Sequence, residues 1–277
     1  MSQVWYAGNK LNDAEAASFS RRSHLYGDAL FETMRVHLGK ICFWESHYFR
    51  LMSSMRILRM DIPLDWGPDD LESDILSCVP QGQVDQRVRL SVWRKGGLGY
   101  APTVQGVDWG IHVEPLKEFG YPHPIKTLHM DLFQEHKKSS GLLSTLKATH
   151  AALYILAAQF AQDQGLDDVF LLNQENRLLE TSRGNVFVLK ANVLTTASLT
   201  AGALRGVMRE QVIRLAPGLG LTVQEDALSP FALLEADEVW MTNALDGVSA
   251  VAQYRKTKYS AEQATRMQNT LRASSLF

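Results

Sequence analysis

The stretch Ser144-Thr145-Leu146-Lys147-Ala148-Thr149-His150 runs straight into Ala-Ala-Leu-Tyr-Ile-Leu-Ala-Ala-Gln-Phe, so a single lysine abuts a long uncharged segment. The small residues around Lys147 read as a strand end. The segment after it reads as a helix buried on most of its surface. An ammonium at the mouth of such a helix is expensive to desolvate, so its pKa is expected to fall. A neutral lysine amine can condense with a carbonyl to form a Schiff base. The plain alternative is a helix-start lysine that points at solvent, and this stretch alone does not separate the two.

The remaining chain narrows the choice. Its 277 residues exceed the usual size of one domain, so two are expected. The expected division is 1–115 as a first α/β domain, 116–125 as a linker rich in Pro and Gly, and 126–277 as a second α/β domain carrying Lys147. A formal net charge of −2 gives no reason to expect a nucleic-acid partner. The two cysteines, Cys42 and Cys78, suggest neither a disulfide framework nor a metal cluster. No charged-then-apolar leader is seen, and no apolar run reaches the roughly 20 residues needed to span a membrane. A soluble cytoplasmic protein without a metal is the expectation.

Along the chain, Val4 to Lys10 reads as a hairpin turning at Gly8-Asn9. In Ala29 to Val36, alternation puts Leu30, Glu32, Met34 and Val36 on one strand face and Phe31, Thr33 and Arg35 on the other. The second face suits either an anionic substrate or solvent. Glu45 to Leu58 has helical spacing, with a stripe of Phe49, Met52, Met55 and Leu58; Arg50 and Arg56 lie off it, where solvation is the default. Pro68 to Cys78 is a second amphipathic helix. Gln86 to Arg94 alternates strictly and is a strand, followed by the glycine-rich loop Lys95 to Pro102.

Farther on, Asp168 to Asn173 is a buried strand, and Glu180 stands at a break between two apolar stretches, where a carboxylate must be paired, solvated or used. A helix is expected from Thr200 to Leu215, with a glycine just inside its start as a possible anion site. Leu228 to Ala236 reads as a short helix. Glu238 to Val248 is a strand ending in a polar Thr242-Asn243-Ala244 turn.

The order of these blocks resembles the fold-type IV enzymes that use pyridoxal 5'-phosphate, also called class IV aminotransferases. The resemblance runs from about Trp5 to Tyr259. It implies an α/β, D-amino-acid-aminotransferase-like fold of two domains with the cofactor at their interface, usually as a homodimer whose loops cross between subunits. Lys147 matches the lysine that forms the internal aldimine and later shuttles the substrate proton. Glu180, with Asn185 and Phe187 after it, matches the Glu-x4-Asn-x-Phe block whose carboxylate pairs with the pyridine nitrogen. Arg50, in His47-x-x-Arg50-Leu51, matches the arginine that grips the cofactor phosphate. Gly206-Val207-Met208-Arg209 matches the block whose amides cap that phosphate, and Asn243-Ala244 matches a second phosphate turn.

Within the family, Gly27-Asp28-x-Leu30-Phe31-Glu32-Thr33-Met34-Arg35-Val36 is similar to the aminodeoxychorismate lyases, as is Thr242-Asn243-Ala244-Leu245-x-Gly247-Val248. The resemblance places Tyr26, Thr33, Arg35, Arg94 and Tyr100 at a small amino substrate. Ala152 stands where branched-chain enzymes carry a tyrosine. Three positions depart from the lyase pattern: Ala29 replaces a glycine, His150 an asparagine, and Leu98 an arginine that a dicarboxylate substrate would use. The expected activity is therefore that of a lyase making p-aminobenzoate and pyruvate for folate biosynthesis. Branched-chain or D-amino-acid transamination is the alternative. A third reading is a silent relative that binds the cofactor as a regulator, or a non-enzymatic scaffold.

Overall fold

The computed structural model describes residues 5–6, 9–10, 21–80, 82 and 84–274. Strands β1 (Trp5–Tyr6) and β2 (Asn9–Lys10) form the first hairpin. Asn9 pairs with Tyr6, so it belongs to the return strand rather than to the turn. A short helix α1 (Arg22–Tyr26) precedes a four-stranded antiparallel sheet. Its strands are β3 (Ala29–His37), β4 (Lys40–Ile41), β5 (Gln86–Arg94) and β6 (Val107–Pro115), in the order β4-β3-β5-β6.

Strand alternation gives this sheet two unlike faces. Leu30 and Met34 of β3 and Val88, Leu90 and Val92 of β5 are buried beneath helices α2 (Trp44–Ile57) and α3 (Pro68–Ser77). Leu71 and Ile75 of α3 close that core with no exposed surface. Truncating either to alanine would cost about 2–5 kcal/mol. The opposite face carries Phe31, Thr33 and Arg35.

The chain crosses to a second sheet between Pro115 and β7 (Thr127–Lys138). Helix α4 (Ala152–Asp163) follows, then β8 (Asp168–Asn173), β9 (Leu178–Thr181), β10 (Asn185–Lys190) and β11 (Val193–Ala197). Next come α5 (Val207–Leu215), β12 (Thr222–Asp226), α6 (Ala232–Glu235), β13 (Glu238–Asn243), β14 (Gly247–Tyr254), β15 (Thr257–Lys258) and α7 (Glu262–Ser274). The order is β12-β11-β10-β13-β14-β7-β8-β9, and β9 pairs back onto β10. Strands β10, β13, β14, β7, β8 and β9 thus close into a barrel-like ring. One face of these strands packs Phe187 and Trp240 against α5 and α7, while Val186, Val239 and Met241 pack on the other. Glu238 ties the α7 end down, its carboxylate accepting the amides of Gln263 and Ala264 at 2.8 and 2.9 Å.

Several local expectations are corrected. Lys147 does not end a strand: it follows a 3-10 turn (Leu142–Thr145), and Ala148 bridges Leu30. Helix α4 begins five residues after the lysine. It buries only Ala157 and Ala161, against Phe133, Val169 and Leu171, and leaves Ile155 66% exposed. It is a one-sided cap on β7 and β8 and not a core helix, because no described residue covers its far side. Helix α5 starts at Val207, after Gly206 rather than before it, and the Leu228–Ala236 segment is helical only over Ala232–Glu235.

Candidate active site

Strand β4 pairs only with Val36 and His37, which leaves the Ala29 end of β3 open on that edge. The Lys147 segment takes this edge. Phe31 donates its amide to Lys147 O at 2.9 Å, and Thr149 donates its own to Ala29 O at 3.1 Å. The lysine is thereby fixed between the two sheets, at the floor of a cleft of about 420 Å³. Its Nζ lies 4.6 Å from the Phe31 ring centroid. Burial, and then the charge of Arg50, pull its pKa down to about 8; Glu32 opposes them. Roughly a tenth of the amine is therefore uncharged at pH 7, and that neutral form is the one covalent and base chemistry needs.

Arg50 of α2 also lines the cleft and is only 7% exposed, because Glu32 on the core face of β3 holds it. Arg50 Nε donates to Glu32 Oε1 at 2.8 Å, Nη2 donates to Oε2, and Nη1 donates to Arg205 O at 2.9 Å. His47 Nδ1 lies 2.7 Å from the same carboxylate. Burial alone would push Glu32 up, but Arg50 and His47 outweigh it and hold the carboxyl at about 2. Burial is the main reason the His47 pKa is lowered, which favours the neutral ring.

Opposite Arg50, α5 points its N-terminus into the cleft, with Gly206 at the N-cap and no side chain capping it. The first amides of a helix have no intrahelical acceptor, so those of Val207 and Met208 suit an anion. Gly206 is required here: a Cβ would fall 1.9 Å from Asn185 Oδ1. Asn185 in turn donates to Leu204 O at 2.9 Å, which fixes the approach to the helix. Asn243 closes the neighbouring turn, its Oδ1 accepting the amides of Leu245 and Asp246 at 2.9 and 2.8 Å. Beside it, Thr242 Oγ1 is buried without a hydrogen-bond partner while the residue lines the cleft. Guanidinium, helix amides, a turn at Ala244 and an orphaned hydroxyl form a donor set that matches a phosphate.

Glu180 stands across the β9–β10 pair from Asn185, which explains the spacing of these two residues in the sequence. Glu180 lines an adjoining pocket with Lys147, Phe31 and Tyr154. Its Oε1 accepts Lys138 Nζ and Tyr154 Oη, each at 2.6 Å, and its Oε2 accepts the Leu204 amide at 2.8 Å.

Thr33 and Arg35 line the cleft; Tyr26, Arg94 and Tyr100 do not. Arg35 bonds Leu245 O at 3.0 Å, Glu118 O at 3.1 Å and the Asp85 carboxylate, so much of its fork is spent joining the sheets. Arg94 shares the core parity of β5, and its nitrogens bond Asp28, Arg59 O, Leu58 O and Gln105. Tyr26 accepts the Gly99 amide at 2.7 Å and faces Tyr100, which is 90% exposed.

Sequence reasoning passed over Arg87 and Arg89, which line the cleft on the other parity of β5. Arg89 stands opposite Thr33 in the ladder and Arg87 opposite Arg35. Arg89 Cζ lies 3.7 Å from the Phe31 ring centroid. The alternation of β5 was a usable signal, since only odd-numbered arginines share a face with Phe31 and Thr33 once the register is known. Lys138 and Tyr154 were also passed over, and nothing local to the sequence marked them; Thr242 was read only as part of the polar turn.

The family model for class IV aminotransferases matches residues 29–254. An aminodeoxychorismate lyase of Vibrio harveyi is 28% identical over 247 residues, covering 83% of this chain and 84% of that protein. A putative branched-chain-amino-acid aminotransferase of Methanocaldococcus jannaschii is 30% identical over 249 residues, covering 86% and 83%. The crystal structure of 4-amino-4-deoxychorismate lyase from Pseudomonas aeruginosa matches with a TM-score of 0.79 at 26% identity, covering 99% of each chain. With a lysine of lowered pKa between two sheets and a phosphate-shaped cradle beside it, this chain belongs to the class IV aminotransferase family of pyridoxal-phosphate enzymes.

Proposed function

We propose that the chain is a 4-amino-4-deoxychorismate lyase, forming p-aminobenzoate and pyruvate for folate biosynthesis. The observation that carries this reading is the cleft face of the first sheet. There Thr33 and Arg35 of β3 stand opposite Arg89 and Arg87 of β5, within one cleft with Lys147. A cationic wall with one hydroxyl suits a dicarboxylate bearing a ring, and it supplies positive charge that Leu98 cannot.

The cofactor fits the donor set of this structure. Arg50, the Val207 and Met208 amides, Thr242 Oγ1 and the Asn243-Ala244 turn would hold its phosphate; Glu180 would face its ring nitrogen; Asn185 would shape the cradle through Gly206. When bound, it supplies an aldehyde for Lys147 and an electron sink for the carbanion formed on the substrate. Lys147 Nζ takes the proton from the substrate carbon bearing the amino group. Arg89 orients the substrate through a carboxylate; Arg87, whose Nη1 donates to Glu114 at 3.0 Å, adds positive charge beside it. Phe31 shields the amine from bulk water on one side.

Transamination is the second reading, and one feature favours it. Arg94 is committed to the protein's own carbonyls and Asp28, so a lyase-like substrate contact from that residue is missing. An assay with aminodeoxychorismate, run beside branched-chain and D-amino acids with 2-oxoglutarate, decides between them. Release of p-aminobenzoate supports the lyase; keto-acid formation without it supports the transferase.

We also read the sheets as two domains, 1–115 and 126–277, joined by 116–125, with the cofactor between them. A homodimer is proposed because Leu142, Leu143, Ile155 and Leu156 leave apolar surface uncovered on the Lys147 side of the barrel. Sedimentation equilibrium tests it. A cytoplasmic setting fits the free thiols of Cys42 and Cys78.

A further inference from the structure

The end of β7 holds a buried cation that the proposed chemistry does not use. Glu135, His136 and Lys137 are exposed, yet Lys138 is 6% exposed. The cause is an irregular register: Phe133 pairs with Leu171, and the next pair is Lys138 with Asn173. The extra length on β7 turns Lys138 inward across β8, where its Nζ meets Glu180 Oε1 at 2.6 Å. Tyr154 reaches the same oxygen from α4 at 2.6 Å, and the ammonium lies 5.5 Å from its ring centroid. Burial, and then the neighbouring Glu180, raise the Tyr154 pKa, so its hydroxyl stays a donor. The Leu204 amide takes the other carboxylate oxygen at 2.8 Å.

A buried ion pair of this kind is not explained by stability, since desolvation offsets much of its attraction. Three donors from three elements do something more specific: they fix the rotation of one carboxylate and set the charge beside it. The charged and titratable groups around Glu180 are Lys138 from β7, Tyr154 from α4, the Lys147 amine across the pocket and Arg183 on its rim, the last paired with Asp168.

We infer that Lys138 is a positioning residue that, with Tyr154, locks the Glu180 carboxylate and thereby keeps the proton of the cofactor's ring nitrogen on that nitrogen. This rests on the proposed reading that Glu180 faces the ring. The ammonium bonds one carboxylate oxygen directly, so its field favours negative charge on Glu180, and an ionised Glu180 would favour the proton on a ring nitrogen facing it. Lys138 touches neither substrate nor cofactor in this scheme.

The test uses holoenzyme reconstituted with pyridoxal phosphate labelled with 15N in the ring, in the wild type and in Lys138→Met, Lys138→Gln, Lys138→Arg, Tyr154→Phe and Glu180→Gln. The ring-nitrogen chemical shift is followed against pH, with the cofactor dissociation constant measured in parallel. Expected is a shift toward the unprotonated ring in Lys138→Met, Lys138→Gln and Glu180→Gln, a smaller one in Tyr154→Phe, and near-wild-type behaviour in Lys138→Arg. Cofactor binding should weaken about tenfold in Lys138→Met, as for loss of one charge-assisted bond. Should Lys138→Met fail to fold, Lys138→Gln keeps a donor without the charge and gives the same reading. A wild-type ring signal in both Lys138→Met and Lys138→Gln, while Glu180→Gln moves it, overturns the role of Lys138 alone. A wild-type signal in Glu180→Gln overturns the placement of the ring itself.

Discussion

Glu32 and Arg50 form a buried pair behind the cleft: the carboxylate projects from the core face of β3 and takes Arg50 Nε at 2.8 Å, while its chain neighbours Phe31 and Thr33 face the cleft. One strand thus supplies the cleft's lining from one side and the anchor of the cleft arginine Arg50 from the other.

That pair makes stability depend on pH. The folded Glu32 carboxyl sits at about 2, below its ordinary value of 4.5. Its contribution is therefore complete above about 4.5 and lost as pH falls through about 2. Glu32→Gln should destabilise the apoprotein by on the order of 2–3 kcal/mol at pH 7. The gap to the wild type should close as urea titrations are run from pH 5 downward. A gap that is flat over that range would show that Arg50 does not set the charge of Glu32.

Lys147 has a linkage of the same sign in a different pH window, although here it is the charged form that burial penalises. Its folded value of about 8 lies below the ordinary 10.5, so the unfolded chain binds more protons between those values and stability rises with pH there. Lys147→Met should be more stable than the wild type at pH 7 by on the order of 1–3 kcal/mol, an advantage that shrinks from pH 8 to 10.5. The same variant should lose turnover by several orders of magnitude, about 10³-fold or more. Denaturant midpoints and product formation read the two effects separately.

Gly206 has no room for a side chain. Gly206→Ala pushes a methyl into Asn185 Oδ1, and overpacking of this kind costs about 1–3 kcal/mol. The larger effect should be on the helix amides: the cofactor dissociation constant should rise by about tenfold or more. An unchanged constant from spectroscopic titration would remove α5 from the phosphate site.

Arg89 and Arg94 should behave differently although both lie on β5. Arg89→Gln should raise KM for a dicarboxylate by about 10–100-fold with a smaller change in kcat, the mark of lost substrate binding. Arg94→Ala takes one of two donors from the half-buried Asp28 carboxylate, which keeps Arg22 at 2.8 Å, and leaves the Leu58 and Arg59 carbonyls without their donor, so it should cost about 1–3 kcal/mol of folding free energy. Steady-state kinetics and thermal unfolding of the two variants, taken side by side, check this contrast.

The alternations of Ala29–His37 and Gln86–Arg94, the lysine at 147 and the Glu180–Asn185 spacing could all be read from the sequence, because side-chain period and short-range pairing are local properties. Tertiary structure alone decided that the Lys147 segment fills the open edge of β3, that α4 lies on the barrel with one face bare, and that Arg89 rather than Arg94 meets the cleft. It also decided who holds the buried charges: Glu180 is claimed by Lys138 across β8, and Arg50 by Glu32. Such partners are set by register and by sheet-on-sheet placement. Two residues distant in sequence meet only after many strands have paired, and no local pattern records the meeting.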